Sequence, residues 1–230
     1  MELQHLNLKI FAEESSKDIP LDAYIPIFHS WIQSQNQRQR RVEGEALRSP
    51  IDSFSLAQGP EPVEGLPVEG ATQAPVIEMV LDVADYAHVP QGPGVMLIGH
   101  HANISMDETE GRLGLLYNRK VKEEGSDEEK IQRILKWAFA HAKRLQAESV
   151  LDGKLKFKPG SLQWMVNDRL LAPHNEENAQ ILERALKKVL EIFYGKVPMK
   201  FSRHPDLRER LTLDVEVTGN FGIEDILQKL

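Results

Sequence analysis

The chain has 230 residues, of which 41 % are hydrophobic and 27 % are charged, and its formal net charge is −7. This composition is ordinary for a globular protein, and an acidic chain without a basic stripe is not expected to bind nucleic acid. The absence of cysteine excludes disulfides, thiolate metal sites, iron–sulfur clusters and a cysteine nucleophile.

Neither a targeting signal nor a membrane span is evident in the sequence. Residues 1–5 contain no basic segment leading into a long apolar core, so we expect no secretory signal. No apolar run approaches the roughly 20 residues that are needed to cross a bilayer. We therefore expect a cytoplasmic protein without membrane or nucleic-acid partners.

The N-terminal region predicts one strand followed by one helix. Residues 6–10 alternate between apolar and polar side chains, which is the pattern of a half-buried strand. Asp18 can then cap a helix over residues 21–35, because apolar residues recur there at helical spacing.

Residues 37–74 have the composition of a low-complexity segment. Val-Glu-Gly occurs three times, twice preceded by proline, and aromatic residues are nearly absent. Such a segment cannot bury enough apolar surface to offset its ordering entropy. It resembles the low-complexity inserts of some bacterial proteins, in which a repetitive DNA element is translated in frame. We predict a mobile or disordered insertion without chemistry; a linear motif that binds a partner is the alternative.

Residues 76–120 hold the densest apolar runs of the chain. The runs at 76–86, 95–101 and 113–118 are separated by a Pro/Gly turn and by an acidic loop at 107–111. Short apolar runs bounded by such turns predict strands, and loops of this length favour antiparallel neighbours. The sequence therefore predicts a three-stranded meander at the centre of a sheet.

Two further helices are indicated by their capping residues. Ser126 and Glu129 form a Ser-x-x-Glu capping box, and apolar residues then recur at helical spacing to about Glu148. Asn175 is a suitable cap for the next helix, which Gly195 would end.

The remaining elements are predicted as strands and a tail. Residues 155–166 alternate in the pattern of a strand, with a turn or bulge at Pro159-Gly160. Residues 199–201 and 211–217 add strands, the last with its polar side toward water. Residues 221–230 form an amphipathic tail that can dock on this chain or on a second copy.

This order of elements predicts a single α+β domain over residues 1–230, interrupted by the insertion at 37–74. We expect a mostly antiparallel sheet with the three-stranded meander at its centre and about three helices packed on one face. Both sides of the run at 95–98 are apolar. A second subunit is therefore expected to cover the other face.

No strong catalytic or nucleotide-binding motif is present. On the predicted register, Asp82, His100 and Asn118 share one face of three adjacent strands and are candidates for binding a ligand. A carboxylate that orients an imidazole is suited to a general base or to a metal-bound histidine. With Glu78, His100 and Asp82 form a candidate site for a divalent metal such as Zn, Mn or Fe.

Two alternatives to this site stay open. The same residues can form a buried polar network that sets the strand register. A slip of one residue would bring His101 onto that face. We expect the polar row at 101–107 on the opposite face, toward solvent or a loop.

A second polar cluster contains Asp168 and Arg169, which follow a predicted strand. Together with Arg119 they are candidates for binding an anion. A turn with a charge pair is the alternative interpretation.

These observations predict a non-catalytic binding or assembly protein that forms a homo-oligomer through its sheet or its C-terminal tail. A small-molecule ligand is compatible with this prediction. The alternative is a small metal-assisted hydrolase that uses the His/carboxylate cluster of the meander. No catalytic residue is assigned by the sequence.

Overall fold

The computed structural model of the protein describes residues 3–47 and 79–229. Within these ranges the chain forms one eight-stranded sheet and four α-helices. The strands are β1 Leu6–Ala12, β2 Val80–Tyr86, β3 Gly94–Gly99, β4 Ala102–Asp107, β5 Gly114–Arg119, β6 Phe157–Val166, β7 Met199–Arg203 and β8 Leu211–Val217. The helices are α1 Tyr24–Leu47, α2 Asp127–Gln146, α3 Glu176–Tyr194 and α4 Ile223–Leu227.

All neighbouring strands are antiparallel, in the order β2-β3-β4-β5-β1-β6-β8-β7. The predicted α+β class with a mostly antiparallel sheet is confirmed. The first strand of the chain lies in the middle of the sheet, because β1 separates the β2–β5 meander from β6, β8 and β7. The two halves of the sheet are therefore joined by strands that lie far apart in the sequence.

The meander has four strands and forms one half of the sheet, so the prediction of a central three-stranded meander is wrong in both respects. The additional strand is β4, whose residues alternate between Ala102, Ile104 and Met106 on one side and polar residues on the other. A tight turn at His100 and His101 joins β4 to β3. In sequence, β4 resembles a loop because its apolar residues alternate with polar ones and form no continuous apolar run.

One face of the sheet is covered by helices, and we call it the helix-covered face. Helix α1 packs against β2 and β3, α2 against β1 and β5, and α3 against β8 and β7. The side chains beneath these helices are apolar and buried, including Leu8, Ile10 and Trp164. No helix within residues 3–47 and 79–229 is both long and apolar enough to cross a membrane.

The capping residues act as predicted. The Ser126 hydroxyl accepts a hydrogen bond from the Glu129 backbone at 3.3 Å, and the Glu129 side chain accepts one from the Ser126 backbone at 2.8 Å, so the capping box of α2 is confirmed. Asn175 caps α3, accepting from the Asn178 backbone at 2.9 Å. Gly195 follows the end of α3 with a φ of 79°, which glycine adopts without strain.

Helix α1 continues well beyond the predicted end at residue 35. It runs to Leu47, so residues 37–47 are helical where the sequence predicted the start of a mobile or disordered insertion; the bounds of the insertion stay a prediction. The stretch is rich in Gln and Arg and has no apolar stripe, which is why the helical pattern is lost in the sequence. The rest of the predicted insertion, residues 48–74, lies outside the described residues.

The C-terminal tail docks on its own chain. Helix α4 packs on α2, with Ile226 fully buried and Lys143 Nζ 2.7 Å from Glu224 Oε2. Lys229 Nζ donates to the carbonyl oxygen of Phe193 at the end of α3. Of the two docking modes that the sequence left open, the intramolecular one is therefore observed.

Candidate ligand site on the helix-free face

The other face of the sheet carries no helix in the part of the chain that is described, and we call it the helix-free face. Its central side chains nevertheless avoid solvent: every residue of β1 is buried, including Asn7, Lys9 and Phe11, which point to this side. Lys9 is 2 % exposed and Asp107 is 5 % exposed. Charged residues are almost never this deeply buried without a partner.

Two loops cover the middle of the helix-free face. The β4–β5 loop begins at the end of the sheet where Phe11 pairs with Gly114, and the β7–β8 loop begins at the opposite end. The loops meet above the sheet, where His204 Nε2 lies 3.5 Å from Glu110 Oε1. They enclose a cavity of about 490 Å³ between themselves and the sheet.

The cavity lies over β5, β1, β6 and β8. Its floor combines the apolar side chains of Phe11, Leu116 and Met165 with polar residues, which are Lys9, Gln163 and Thr212. A volume of this size is within the range of small-molecule sites, roughly 300–1,000 Å³, which combine apolar walls with a few polar groups.

Lys9 and Asp107 form a buried ion pair at this floor. Lys9 Nζ donates to Asp107 Oδ1, and Asp107 also accepts from the Thr109 backbone at 3.2 Å and from its hydroxyl at 2.8 Å. Burial lowers the pKa of Lys9, and the charge of Asp107 acts in the opposite direction. A lysine in a cleft with its pKa shifted by burial and by a specific partner is typical of a functional site.

The ammonium group of Lys9 is incompletely satisfied. It has three N–H donors, and Asp107 is its acceptor within the described ranges. Its nearest aromatic neighbour, Phe11, has its ring centroid 5.4 Å away. The cavity floor therefore offers donors that an oxygen atom of a ligand could accept.

A second ion pair fixes one wall of the cavity. The guanidinium of Arg112 lies over the Phe11 ring at 3.6 Å and donates to Asp214 at 2.7 Å. Asp214 also accepts from Gln163 Nε2 at 2.9 Å. This chain of contacts joins the β4–β5 loop to β1, β6 and β8, so the loop is held over the sheet.

The rim of the cavity is formed by the β7–β8 loop. Arg208 pairs with Asp206 at 2.7 Å, and its hydrogen bonds hold the pKa of Asp206 below its usual range. Arg210 Nη1 donates to the side-chain oxygen of Asn167 at 2.6 Å. The buried Nδ1 of His204 has no hydrogen-bond partner within residues 3–47 and 79–229.

The predicted cluster of Asp82, His100 and Asn118 is not brought together. Asp82 and Asn118 lie in one row of the helix-free face, but β3 and β4 separate them by about 14 Å at the usual strand spacing. His100 lies in the exposed β3–β4 turn against His101, with ring centroids 4.6 Å apart. The predicted pairing of Asn118 with His100 is wrong, because β4 intervenes and places Asn103 opposite Asn118.

The predicted metal site is correspondingly incomplete. Glu78 lies outside the described residues, and His100 and Asp82 are on different elements, a turn and an edge strand. Among the residues that the structure describes, no group of three or more His, Asp or Glu side chains is placed to hold a metal ion. The ligand-binding roles of Asp82 and His100 stay predictions.

The second predicted cluster has the geometry of its alternative, a turn. Asp168 accepts from the backbone N–H groups of Leu170 and Leu171, both at 3.1 Å, and the side chain of Arg169 is exposed. Arg119 pairs with Glu123 at 2.8 Å. No hydrogen bond or ion pair joins Arg119 to Asp168 or Arg169 among the described residues, and their anion-binding roles stay predictions.

Asn118 is the predicted site residue with a connection to the cavity. Its side-chain oxygen accepts from Asn167 Nδ2 at 3.4 Å, and Asn167 in turn binds Arg210 at the rim. Asn118 thus lies next to the cavity and outside its lining.

The principal residues of the cavity were missed in the sequence. Asp107 and Ser105 were expected to face solvent or a loop, yet they are buried on the same face as Asp82. Lys9 had a weak signal, because the apolar Phe11 and Ala12 extend its strand and suggest burial on both sides. Arg210 had no signal, since only the folded loop brings it to the cavity.

Comparisons with family models, with curated proteins and with solved structures find no match to this chain. Its function is therefore inferred from the geometry of the cavity.

Proposed function

We propose that the protein binds a small polar organic molecule in the cavity of the helix-free face. The observation that carries this proposal is the Lys9–Asp107 pair, which is buried at the floor of that cavity and in which Asp107 is the one acceptor for Lys9 among the described residues. A ligand oxygen that accepts from Lys9 would complete its hydrogen bonding. The apolar Leu116 and Met165 would contact the body of the ligand.

Stability alone is a poor explanation for the pair. Removing two charges from water costs several kcal/mol each, and apolar residues of similar volume are often as stabilising as a buried ion pair. A purely structural floor would therefore be expected to carry apolar side chains, as the helix-covered side of the same strand does at Leu8 and Ile10. The charges are better explained by recognition of a polar ligand.

The proposal is tested with a pair of tryptophan substitutions on the helix-free face. Leu116→Trp fills the cavity from its floor, whereas Ile98→Trp adds the same side chain on β3, outside the cavity lining. Both native residues are half-buried, so both variants are expected to fold. Thermal unfolding is measured with a library of organic acids, sugars, amines and nucleosides.

We expect a subset of the library to raise the Tm of the wild-type protein and of Ile98→Trp, because ligand binding stabilises the folded state. The same compounds should leave the Tm of Leu116→Trp unchanged. A library without any stabilising compound, or equal stabilisation of both variants, would show that the cavity is not the binding site.

Self-association is a separate proposal, for which the helix-free face is a candidate surface. The C-terminal helix is already docked on its own chain, as described above. Strand β2 is a poor edge for strand addition, because Gln35 pairs with the backbone of Val80 and Asp82 accepts from the Val83 N–H. Light scattering at micromolar concentration tests the proposal, and a monomer would contradict it.

A further inference from the structure

We infer that the ligand of this cavity is a small organic acid whose carboxylate or phosphate group is bound by Arg210. This inference rests on the proposed function and adds the chemical class of the ligand. It follows from the distribution of paired and unpaired charges around the cavity.

Most cations at the cavity are already neutralised by a carboxylate. Lys9 pairs with Asp107, and Arg112 pairs with Asp214. Arg208, on the same loop as Arg210, pairs with Asp206 through two guanidinium nitrogens. Each of these three cations therefore already has a carboxylate partner. Two further carboxylates, Glu110 and Glu209, line the cavity, and Glu110 Oε1 lies 3.5 Å from His204 Nε2.

Arg210 differs from the other cations because its partner is neutral. Its guanidinium donates to the amide oxygen of Asn167, and it forms no ion pair with any residue in the described ranges. The hydrogen bond to Asp206 raises the pKa of Arg208, and the exposed Glu209 adds to that shift. Among the Lys and Arg side chains that line the cavity in the described ranges, Arg210 is therefore the one without a carboxylate partner.

The guanidinium group of Arg210 is held in position, and most of its N–H donors are not used by the described residues. Arginine has five N–H donors in a planar fork, and one of them is used by Asn167. The Thr212 hydroxyl donates to the Arg210 carbonyl oxygen at 3.1 Å, which ties the residue to the start of β8. A positioned guanidinium with free donors can bind a carboxylate or phosphate in a bidentate manner.

The test compares Arg210→Gln with Arg184→Gln. Both substitutions remove one positive charge, and only Arg210 lines the cavity. Arg184 is exposed on α3, so its replacement controls for general charge effects without removing the partner of a cavity residue. Arg210→Lys, which keeps the charge and removes the planar fork, serves as the conservative variant.

The probes are acetate, succinate, glutamate and inorganic phosphate, with acetamide, succinamide and glutamine as neutral counterparts of the carboxylates. Ionic strength is held constant, and binding is followed by thermal shift and by calorimetric titration. We expect at least one acid to bind the wild-type protein and Arg184→Gln equally. In Arg210→Gln its affinity should fall about ten- to a hundredfold, the loss typical of a charge-assisted hydrogen bond, and Arg210→Lys should lie between.

The outcomes separate the two proposals. Carboxylate or phosphate selectivity within the acids identifies which oxyanion Arg210 binds. Neutral compounds that bind as well as the acids, or acids that bind Arg210→Gln as well as the wild type, would overturn the inference while leaving the cavity as a binding site. A third outcome is that none of the acids binds, while other library compounds stabilise the wild type but not Leu116→Trp. The inference about Arg210 then fails, and the proposed binding function of the cavity stands.

Discussion

The two faces of the sheet bury their side chains for different physical reasons. On the helix-covered face, Leu8 and Ile10 of β1 are removed from water by apolar contact with α2. On the helix-free face, their neighbour Lys9 is removed from water to the same degree, and a carboxylate compensates its charge. Apolar burial of this kind favours folding directly, at roughly 25 cal/mol per Å².

Buried charge on the opposite side of the same strand has no such benefit. The attraction between Lys9 and Asp107 largely offsets the cost of removing both from water. One strand therefore contributes stability through one side and, on our account, ligand recognition through the other. Each of the following experiments tests this division between the two faces.

The largest effect is expected for Asp107→Asn. Asparagine keeps one of the two side-chain oxygens that accept from Thr109 and leaves the Lys9 ammonium without a counter-charge. Breaking a buried pair in this way typically costs about 3–5 kcal/mol. Urea denaturation at pH 7 measures the free energy of unfolding, and a loss below about 1 kcal/mol would show that Lys9 reaches solvent.

The same variant has a predicted pH dependence. Burial lowers the pKa of Lys9, and removing Asp107 eliminates the charge that opposes this shift. Between the lowered pKa and the unfolded value of about 10.4, the unfolded state binds more protons than the folded state. The stability of Asp107→Asn should therefore rise with pH across that window. If the free energy of unfolding of Asp107→Asn, relative to the wild type, stays constant or falls with rising pH, the lost stability is not due to Lys9.

Leu8→Ala tests the helix-covered face at the residue next to Lys9. Leu8 is fully buried, and its truncation should lower the free energy of unfolding by about 2–5 kcal/mol through lost burial and a cavity. Unlike Asp107→Asn, this variant should show no added pH dependence and should still bind the compounds that stabilise the wild type. If Leu8→Ala fails to bind these compounds at temperatures at which it is still folded, the two faces are not independent.

The smallest effect is expected for Tyr24→Phe, at the start of α1. The Tyr24 hydroxyl is buried without a hydrogen-bond partner among the described residues, so its removal should leave stability unchanged or raise it by up to about 1 kcal/mol. Burial also raises the pKa of Tyr24. Above about pH 10 the unfolded state loses this proton first, so the wild type should lose stability with rising pH. Tyr24→Phe should lack this contribution; a clear loss of stability at pH 7 would reveal a partner for the hydroxyl.

The helix-covered face was largely predictable from the sequence, because its determinants are local. The capping box at Ser126, the cap at Asn175 and the end at Gly195 all depend on residues within a few positions of one another. The polar segments were harder, and β4 was missed because Asn103, Ser105 and Asp107 are typical of a loop. The helical continuation through residues 37–47 was missed for the same reason.

The cavity could not be predicted, because its residues come from distant parts of the chain. Lys9 and Asp107 are 98 positions apart, and Arg112 and Asp214 are 102 apart. Only the insertion of β1 between β5 and β6 brings Lys9 to the middle of the sheet, and no local pattern encodes that pairing. The proposed Asp82–His100–Asn118 cluster failed geometrically because one undetected strand moved its members apart.

The most direct test of the account is the double variant Lys9→Met/Asp107→Asn, studied by urea denaturation and by thermal shift with the ligands found for the wild type. Methionine is similar to lysine in length and removes the charge, so both members of the pair become neutral. The predicted result is a free energy of unfolding within about 1 kcal/mol of the wild type, or above it, together with loss of ligand stabilisation. A loss of several kcal/mol, or undiminished ligand binding, would contradict the claim that the buried pair serves recognition.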